Sequence, residues 1–382
     1  MMPWESRTVE KQRKDFIEAA EKTANFSSLC REFGITRKTG YKWLVRSQEN
    51  GDLTDQSRRP HTNPNRTPPE VEEKILRLRA ENPGWGARKL KAVLEESGHT
   101  DIPCAKTVNN ILNRYGCILP EESEKHKPYT RFEREKCNEL WQADFKGDFL
   151  MNNGKRCFPL DIIDDHSRFL ILISPTESTK DFVIPCFTRA FQEFGLPDAI
   201  LCDNGPQFAG FRQGFTQFEK WLMNLDVLPI HEKIKHPQTQ GKIERFHRTL
   251  KDELLRYVTF ENIEDADRQL QAFREKYNQE RPHNALGLRR PGELYVPSAR
   301  PYTGVVKPYA YSGTFRVRKV NNWGYLRFDK FQVFLSQTMS NEYVEFRPNP
   351  LGDSFDICYR NYIIATCDPE SGKILNRNIR RL

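Results

Sequence analysis

Residues 140–149, LWQADFKGDF, decide how the centre of this chain folds. Their polar and apolar side chains alternate with the two-residue period of a β-strand, which places Asp144 on the polar face. Residues 156–165, RCFPLDIIDD, and residues 167–175, SRFLILISP, follow as two further strands joined by a turn at 164–167. We therefore predict that the three strands form an antiparallel meander.

Two further acidic residues lie in contexts that suit a common site. Asp203 follows a short apolar strand in AILCDNGPQF (199–208), and a carboxylate at the carboxyl end of a strand is a common ligand in α/β sheets. Glu244 lies in the first turns of a predicted helix in HPQTQGKIERFHRTLKDEL (236–254). Mg²⁺ is held by carboxylates together with substrate phosphates, and two such ions can activate a nucleophile and stabilise the leaving oxygen of a phosphodiester. With Asp144, these two acids are candidate metal ligands.

Other carboxylates compete for this role, namely Asp148, Asp161, Asp164 and Asp165. The last two belong to an Asp-Asp-His-Ser turn, whose chemistry favours a structural role for both. The remaining elements of this region are predicted as helices at 180–195 and about 211–225 and as strands at 198–202 and 227–231.

The helix that begins near residue 240 has one polar and one apolar face. The polar face carries an amide, an acid and two cations at helical spacing: Gln240, Glu244, Arg248 and Lys251. The apolar face carries Ile243, Phe246, Leu250 and Leu254. A metal-bound phosphate backbone suits the polar face. The alternative is an ordinary amphipathic surface helix with ion pairs along its own length.

The N-terminal region predicts a helix-turn-helix. Short helices at 27–32 and 36–47 are joined at Gly34, and their apolar set is Leu29, Ile35, Tyr41 and Leu44. The second helix contains no acid from residue 36 to residue 46, and we expect it to expose Arg37, Lys38, Lys42 and Arg46. Such a face suits a DNA groove lined by phosphates. The alternative is a small helical bundle with a solvated basic face.

A Pro-rich linker at 50–69 leads to a second helical unit. The linker's Arg58 and Arg59 are candidates for contact with a DNA backbone. In the unit that follows, helices are predicted from Pro69, near Trp85 and near Cys104. Their apolar residues fall at helical spacing and are predicted to face inward: Val71, Ile75 and Leu78 on the first, Trp85, Leu90, Val93 and Leu94 on the second, and Val108, Ile111 and Leu112 on the third. The third of these turns four polar residues outward: Lys106, Asn109, Asn110 and Arg114. Asn can pair with adenine and Arg with guanine, although a structural bundle is an equal alternative for this unit alone.

Composition restricts the class of protein. The chain has a net charge of +8, and its cations cluster, which favours a nucleic-acid partner. The nine cysteines include no CxxC, which argues against a disulfide framework or a zinc finger and favours a reducing compartment. The charged N-terminus is no signal peptide, and no apolar stretch approaches the length of a membrane span.

The C-terminal part changes to the period of strands. After a helix at 263–278 and a Pro-rich connector, five short strands are predicted in GTFRVRKV, GYLRFDKFQVFL, YVEFRPN, SFDICYR and YIIATCD, which suggests a small β-barrel. The tail, 373–382, is basic and contains no acid, so we expect it to be flexible and to lie on phosphates.

These motifs together resemble one family. Asp144, Asp203 and Glu244, with DNGPQF and HPQTQGKIERFHRTLKDEL, resemble the catalytic residues of DDE insertion-sequence transposases whose core is of the retroviral-integrase type. The segments RKTGYKW, SRRPH and GWGARKL are similar to the branch with tandem helix-turn-helix units, and YNQERPHNALG (277–287) fits the segment after the core. Two departures are that 40 residues separate Asp203 from Glu244, which is more than usual, and that the His-Cys zinc module of retroviral integrases is missing. We place the extra residues around 209–218.

The resemblance implies an RNase H-like α/β core in which Asp144, Asp203 and Glu244 are catalytic and hold two Mg²⁺ ions, or Mn²⁺. Water then frees a 3′-hydroxyl at the element end, and this hydroxyl attacks target DNA. The resemblance also implies that Gln240, Arg248 and Lys251 contact the DNA end, and Lys242 is a further, weaker candidate for this contact. A homo-oligomer is implied, because two double-stranded DNA ends must be held together. A catalytically inert DNA-end-binding repressor and a metal nuclease without strand transfer are the alternatives.

The predicted architecture is therefore multidomain, with all-α units, an α/β core and a small all-β barrel. The predicted segments are a helix-turn-helix domain at 1–49, a linker at 50–69, a second helix-turn-helix domain at 70–117, a linker at 118–138, the catalytic core at 139–262, a helical and Pro-rich connector at 263–310, the barrel at 311–368 and a basic tail at 369–382.

Overall fold

Two compact units make up the protein, Met1–Arg66 and Thr67–Leu382. The computed structural model describes residues 8–55, 66–118, 133–179, 181–210, 214–231, 241–328, 331–350, 352–368 and 370–382. No helix in these ranges is long and apolar enough to cross a membrane. All nine cysteines are free thiols, as their spacing predicts.

The first unit contains the helices α1 (Val9–Ala20), α2 (Phe26–Glu32) and α3 (Arg37–Asn50). The side chain of Thr36 accepts the backbone N–H of Thr39 at 3.2 Å and so caps α3. The buried centre is formed by Phe16, Ile17, Leu29, Cys30 and Trp43. The expected inward position of Tyr41 is wrong, because this side chain is 49% exposed and lies against the ring of Phe26.

The second unit begins with the helices α4 (Pro69–Glu81), α5 (Ala87–Glu96) and α6 (Ala105–Arg114). Their apolar faces meet in one buried cluster: Ile75, Trp85, Leu90, Leu94, Ile102, Val108, Ile111 and Leu112. The inward stripes that the sequence predicts for these helices are confirmed.

A mixed sheet forms the centre of the second unit. Its strands, with a small separate hairpin formed by β2 and β3, are β1 (Trp141–Phe145), β2 (Phe149–Leu150), β3 (Arg156–Cys157), β4 (Leu160–Asp164), β5 (Leu170–Ser174), β6 (Ala199–Cys202) and β7 (Leu228–His231). The order in the sheet is β5-β4-β1-β6-β7. The pairs β1–β4 and β4–β5 are antiparallel, so the predicted meander is confirmed, whereas β1–β6 and β6–β7 are parallel.

Helices cover both faces of this sheet. They are α7 (Val183–Phe194), α8 (Gln217–Asn224), α9 (Gly241–Leu250), α10 (Ile263–Gln279) and the short α11 (Pro291–Leu294). The first two pack on an aromatic core around Trp141, Phe187 and Phe191, and α9 and α10 pack on the opposite face around Ile163 and Ile173. The chain continues from α9 as one π-helical turn, Lys251–Leu255.

The start of α8 differs from the prediction, which began the helix near residue 211. Thr216 caps α8 by accepting the N–H of Glu219 at 3.1 Å, and the Glu219 carboxylate accepts the N–H of Thr216 at 2.6 Å. This capping box fixes the first helical residue at Gln217.

The turn between β4 and β5 has the structural role that its sequence indicates. The Asp164 carboxylate accepts the N–H and the hydroxyl of Ser167 at 2.8 and 2.6 Å and the N–H of Asn138 at 2.8 Å. The Asp165 carboxylate accepts the Gln142 amide at 2.8 Å.

The C-terminal strands are β8 (Arg316–Lys319), β9 (Tyr325–Phe328), β10 (Phe331–Phe334), β11 (Tyr343–Pro348), β12 (Phe355–Tyr359), β13 (Tyr362–Cys367), β14 (Ile374–Asn376) and β15 (Arg380–Arg381). One sheet has the order β14-β13-β12-β11-β8 with β15 also paired to β13, and β9 and β10 form a separate hairpin. The segment predicted as one strand at 324–335 is therefore two. Closure of these strands into a barrel stays a prediction.

The prediction of a flexible tail is wrong. Residues 374–376 and 380–381 pair with β13, and Arg380 approaches the buried Asp356 at 3.3 Å. The tail therefore forms part of the C-terminal sheet, and at least one of its cations, Arg380, pairs with an acid inside the fold.

Candidate active site

The register of the central sheet places two acids opposite one another. In the β1–β4 ladder Asp144 pairs with Asp161, so both side chains lie on one face of the sheet. The parallel β1–β6 ladder pairs Ala143 with Cys202. Because Asp144 and Asp203 each follow that pair by one residue, the two acids lie at the same level, Asp144 on β1 and Asp203 directly after the end of β6.

The negative charges of Asp203 and Asp161 both act on Asp144. The pKa of Asp144 is raised to about 7, mainly by burial; His247 opposes this rise, and the charges of Asp203 and Asp161 contribute to it. The Asp144 side chain is still 21% exposed, and that of Asp203 is half-buried. The protein therefore gathers negative charge at an accessible point where a cation would relieve the repulsion.

The helix α9 lies over this face of the sheet. The Gln142 side-chain oxygen accepts the N–H of Ile243 at 3.3 Å, which caps the start of the helix from β1. One turn later, the His247 ring places Nδ1 3.9 Å from Asp144 Oδ2 and Nε2 3.0 Å from Asp161 Oδ2. The predicted apolar stripe of α9 is confirmed, with Ile243, Phe246 and Leu250 buried and Leu254 half-buried.

Glu244 lies between these two attachments and is exposed. It precedes His247 by three residues, so the two side chains share one face of α9. Within the described ranges no three His, Cys, Asp or Glu residues are arranged around one metal position. The convergence of Asp144, Asp203 and Glu244 on shared ions therefore stays a prediction, whereas their all-carboxylate chemistry and the repulsion at Asp144 fit Mg²⁺.

The loop after β6 holds the Asp203 carboxylate through its own backbone. Gly205 donates its N–H to Asp203 Oδ1 at 2.9 Å. A Cβ atom at Gly205 would lie only 2.9 Å from the same oxygen, so glycine permits this close approach. From the other side, Glu219 Oε1 lies 2.9 Å from His231 Nε2, and His231 Nδ1 lies 3.4 Å from the Asp203 carbonyl oxygen.

The proposed DNA contacts are distributed unevenly. Arg37, Lys38 and Lys42 are exposed on α3, and Lys106, Asn109, Asn110 and Arg114 are exposed on α6. Arg114 also pairs with Glu72 at 2.5 Å. The expectation that α3 exposes Arg46 is wrong: this residue is 8% exposed, its guanidinium lies over the Trp43 ring, and it pairs with Asp52 at 3.4 Å.

On α9 and its extension, Arg248 and Lys251 are exposed, whereas the Lys242 ammonium donates to the Asp165 carboxylate and, at 2.9 Å, to the Asp165 carbonyl oxygen. This contact gives Lys242 a structural role at the β4–β5 turn. Gln240, Arg58 and Arg59 lie outside the described residues.

The contribution of His247 and Asp161 was missed from the sequence. In the sequence, Asp161 is only one of several competing carboxylates, and no local pattern indicates a role for His247. Helical spacing could have identified His247, because it follows Glu244 by three residues and therefore lies on the same side of α9.

Four segments of the chain match known protein families. Residues 134–237 and 225–291 each match the family described as Integrase core domain. The chain carries an integrase core. Residues 12–61 match a Helix-turn-helix domain and residues 39–112 a Homeodomain-like domain, so helix-turn-helix domains precede this integrase core. The resemblance inferred from the motifs is confirmed at this level.

The relatives of the chain are insertion-element proteins. It is 27% identical over 229 residues to the Insertion element IS407 uncharacterized 31.7 kDa protein of Burkholderia multivorans, covering 58% of this chain and 79% of that one. It is 26% identical over 236 residues to Transposase InsD for insertion element IS2D of Escherichia coli, covering 58% and 76%. Among solved structures, the HTLV-2 integrase catalytic core domain in complex with magnesium is matched with a TM-score of 0.32 and 18% identity, over 42% of this chain and 97% of that one.

Proposed function

We propose that this chain is the transposase of an insertion element, which cleaves phosphodiesters at the element ends to free 3′-hydroxyls and joins them to target DNA. The supporting observation is the pair of adjacent strands β1 and β6, which bring Asp144 and Asp203 to one level of the sheet beneath α9. The integrase core and the insertion-element relatives support the same activity.

In this proposal Asp144, Asp203 and Glu244 hold two Mg²⁺ ions, or Mn²⁺. When bound, the ions supply a polarised nucleophile and stabilise the leaving oxygen. The carboxylates orient these ions, and two exposed cations, Arg248 on α9 and Lys251 in the π-helical turn that follows it, bind the phosphates at the DNA end. Because only 21% of the Asp144 side chain is exposed, its electrostatic contacts are screened less by water than those of a surface acid.

Recognition of the element ends is assigned to the helices α3 and α6. Arg37, Lys38 and Lys42 on the first, and Lys106, Asn109 and Asn110 on the second, are exposed. Two recognition helices in one chain read a longer sequence than either reads alone. A homo-oligomer follows, because both element ends must be held together during joining. The nine free thiols suit the reducing bacterial cytoplasm, where this DNA lies.

A strand-transfer assay with a pre-cleaved element end tests the proposal. The wild type is expected to join the end to target DNA in Mg²⁺, and Glu244→Gln is expected to lose both cleavage and joining while it still binds DNA. Glu275→Gln, which removes an exposed charge on α10, is the matched control and should retain activity. Cleavage without joining would identify a nuclease, and binding alone would identify an end-binding repressor; either result would refute the transposase.

A further inference from the structure

Asp161 is a buried acid with little compensation. Its side chain is fully buried, and neither of its carboxylate oxygens has a hydrogen-bond partner among the described residues. Burial of a carboxylate without hydrogen bonds costs free energy, so we expect Asp161 to have a specific role. It lies on β4 directly across from Asp144.

The one basic group in close contact with Asp161 in the described ranges is His247. Its Nε2 lies 3.0 Å from Asp161 Oδ2, which is an ion-pair distance although the two groups are not aligned for a linear hydrogen bond. The other ring nitrogen faces Asp144 Oδ2 at 3.9 Å. The imidazole of α9 is therefore placed between an accessible acid and a buried one.

A second contact attaches the same helix on the other side of Glu244. Gln142 on β1 accepts the N–H of Ile243, and its own amide is fixed by donating to Asp165 at 2.8 Å. Glu244 therefore lies between two points at which α9 is held to the sheet. Removing either point would let the helix turn or slide, and a displacement of about 1 Å at a catalytic group is costly.

We propose that Asp161 and His247 are positioning residues, which hold α9 on β1 and β4 so that Glu244 faces Asp144 and Asp203. This inference rests on the proposed function, because it concerns the same three carboxylates. Asp161 is fully buried and acts through His247 rather than by contact with substrate. A pair with only a structural role would change the stability of the fold, whereas a positioning pair also sets the affinity for the metal.

Metal-induced stabilisation without DNA separates these two roles. The unfolding temperature of the full chain is measured against Mn²⁺ concentration for the wild type, Asp161→Asn and His247→Asn. We expect both variants to need about 10–100-fold more Mn²⁺ for half the stabilisation, as for other partners of metal ligands. His247→Gln keeps a donor near the position of Nε2 and should recover part of the affinity. Because 13% of the His247 side chain is exposed, a polar replacement keeps some contact with water, and the His247 variants are expected to fold.

Asp356→Asn is the matched control. Asp356 is another buried acid, on β12, where it accepts hydrogen bonds from Thr366 and Asn349. Its variant should unfold at a lower temperature but keep the wild-type Mn²⁺ dependence. Hydrogen exchange in α9 should be faster in the Asp161 and His247 variants and unchanged in the control.

The outcomes separate the two proposals. If the wild type joins DNA and both variants keep its Mn²⁺ dependence and its α9 exchange, the positioning role is wrong while the transposase stands. If the wild type is stabilised by Mn²⁺ and the variants are weakened, but no joining occurs, the positioning role stands and the transposase fails. A wild type without any Mn²⁺ response refutes the positioning role, and the joining assay then decides separately whether the protein is a transposase.

Discussion

Replacement of Glu253 should show how strongly the stability of the helices α4–α6 depends on their attachment to the integrase core. Glu253 lies in the π-helical turn after α9 and is nearly buried between two cations and an indole. Arg281 donates to it from Nε and Nη2 at 2.8–3.0 Å, Trp85 Nε1 donates at 3.3 Å, and the Lys89 ammonium lies at 3.7 Å. Since Trp85 and Lys89 belong to the α4–α6 unit, Glu253 joins that unit to the core.

The magnitude follows from the charges left behind. Burial raises the pKa of Glu253, but Arg281 and Lys89 hold it below its usual range, so the acid is ionised in the fold. Glu253→Gln leaves the buried Arg281 without its counter-ion, and removal of one partner of a buried pair costs about 3–5 kcal/mol of the free energy of unfolding. Lys89 can lose its proton, which places the expected cost toward the lower end of this range.

Urea denaturation followed by tryptophan fluorescence is the assay, because Trp85 is buried beside Glu253 and reports on its surroundings. Glu275→Gln, an exposed change of the same chemistry on α10, should alter the free energy of unfolding by less than about 0.5 kcal/mol. A Glu253→Gln protein as stable as this control would refute the reasoning, because it would mean that the buried charges do not depend on one another.

Three further predictions concern the same unit. Gly84→Ala should destabilise the protein by about 1–3 kcal/mol in urea denaturation, because the new Cβ would lie 2.3 Å from Glu253 Cγ; Gly86→Ala, with open space around it, should not. Burial and then Arg281 lower the pKa of Lys89 to about 7, so the fold binds fewer protons than the unfolded chain between this pKa and the ordinary lysine pKa of 10.5. The free energy of unfolding of the wild type should therefore increase relative to that of Lys89→Met as pH rises through that window. A difference between the two proteins that stays constant with pH would contradict the lowered pKa. Lys106→Ala should lower affinity for all DNA sequences and reduce the slope of log K against log salt by about 1 in binding titrations; an unchanged slope would remove this residue from the interface.

The sequence predicts the centre of this fold well because the signals there are local. The alternation around Asp144 and the apolar stripes of α4–α6 and α9 each require only a few neighbouring residues, and all are confirmed. The prediction that Arg46 is exposed is wrong because its surroundings are not local. Helical spacing placed it with exposed cations, but its guanidinium packs on Trp43 and pairs with Asp52 in the chain beyond the helix. Periodicity assigns a cation to a face and cannot see the partners that bury it.

The extra residues between Asp203 and Glu244 show the same limit at long range. The sequence places them around 209–218 and gives them no task. In the structure the N–H of Phe215 donates to the Ser336 hydroxyl at 3.0 Å, and the Phe215 ring is buried in the core of the C-terminal sheets. One residue later, the Thr216 hydroxyl donates at 3.0 Å to the carbonyl of Phe208, in the loop that follows Asp203. The segment therefore connects the C-terminal strands to the loop of a candidate metal ligand. A contact across 121 residues leaves no mark in the local pattern, so only the folded chain reveals what the longer spacing does.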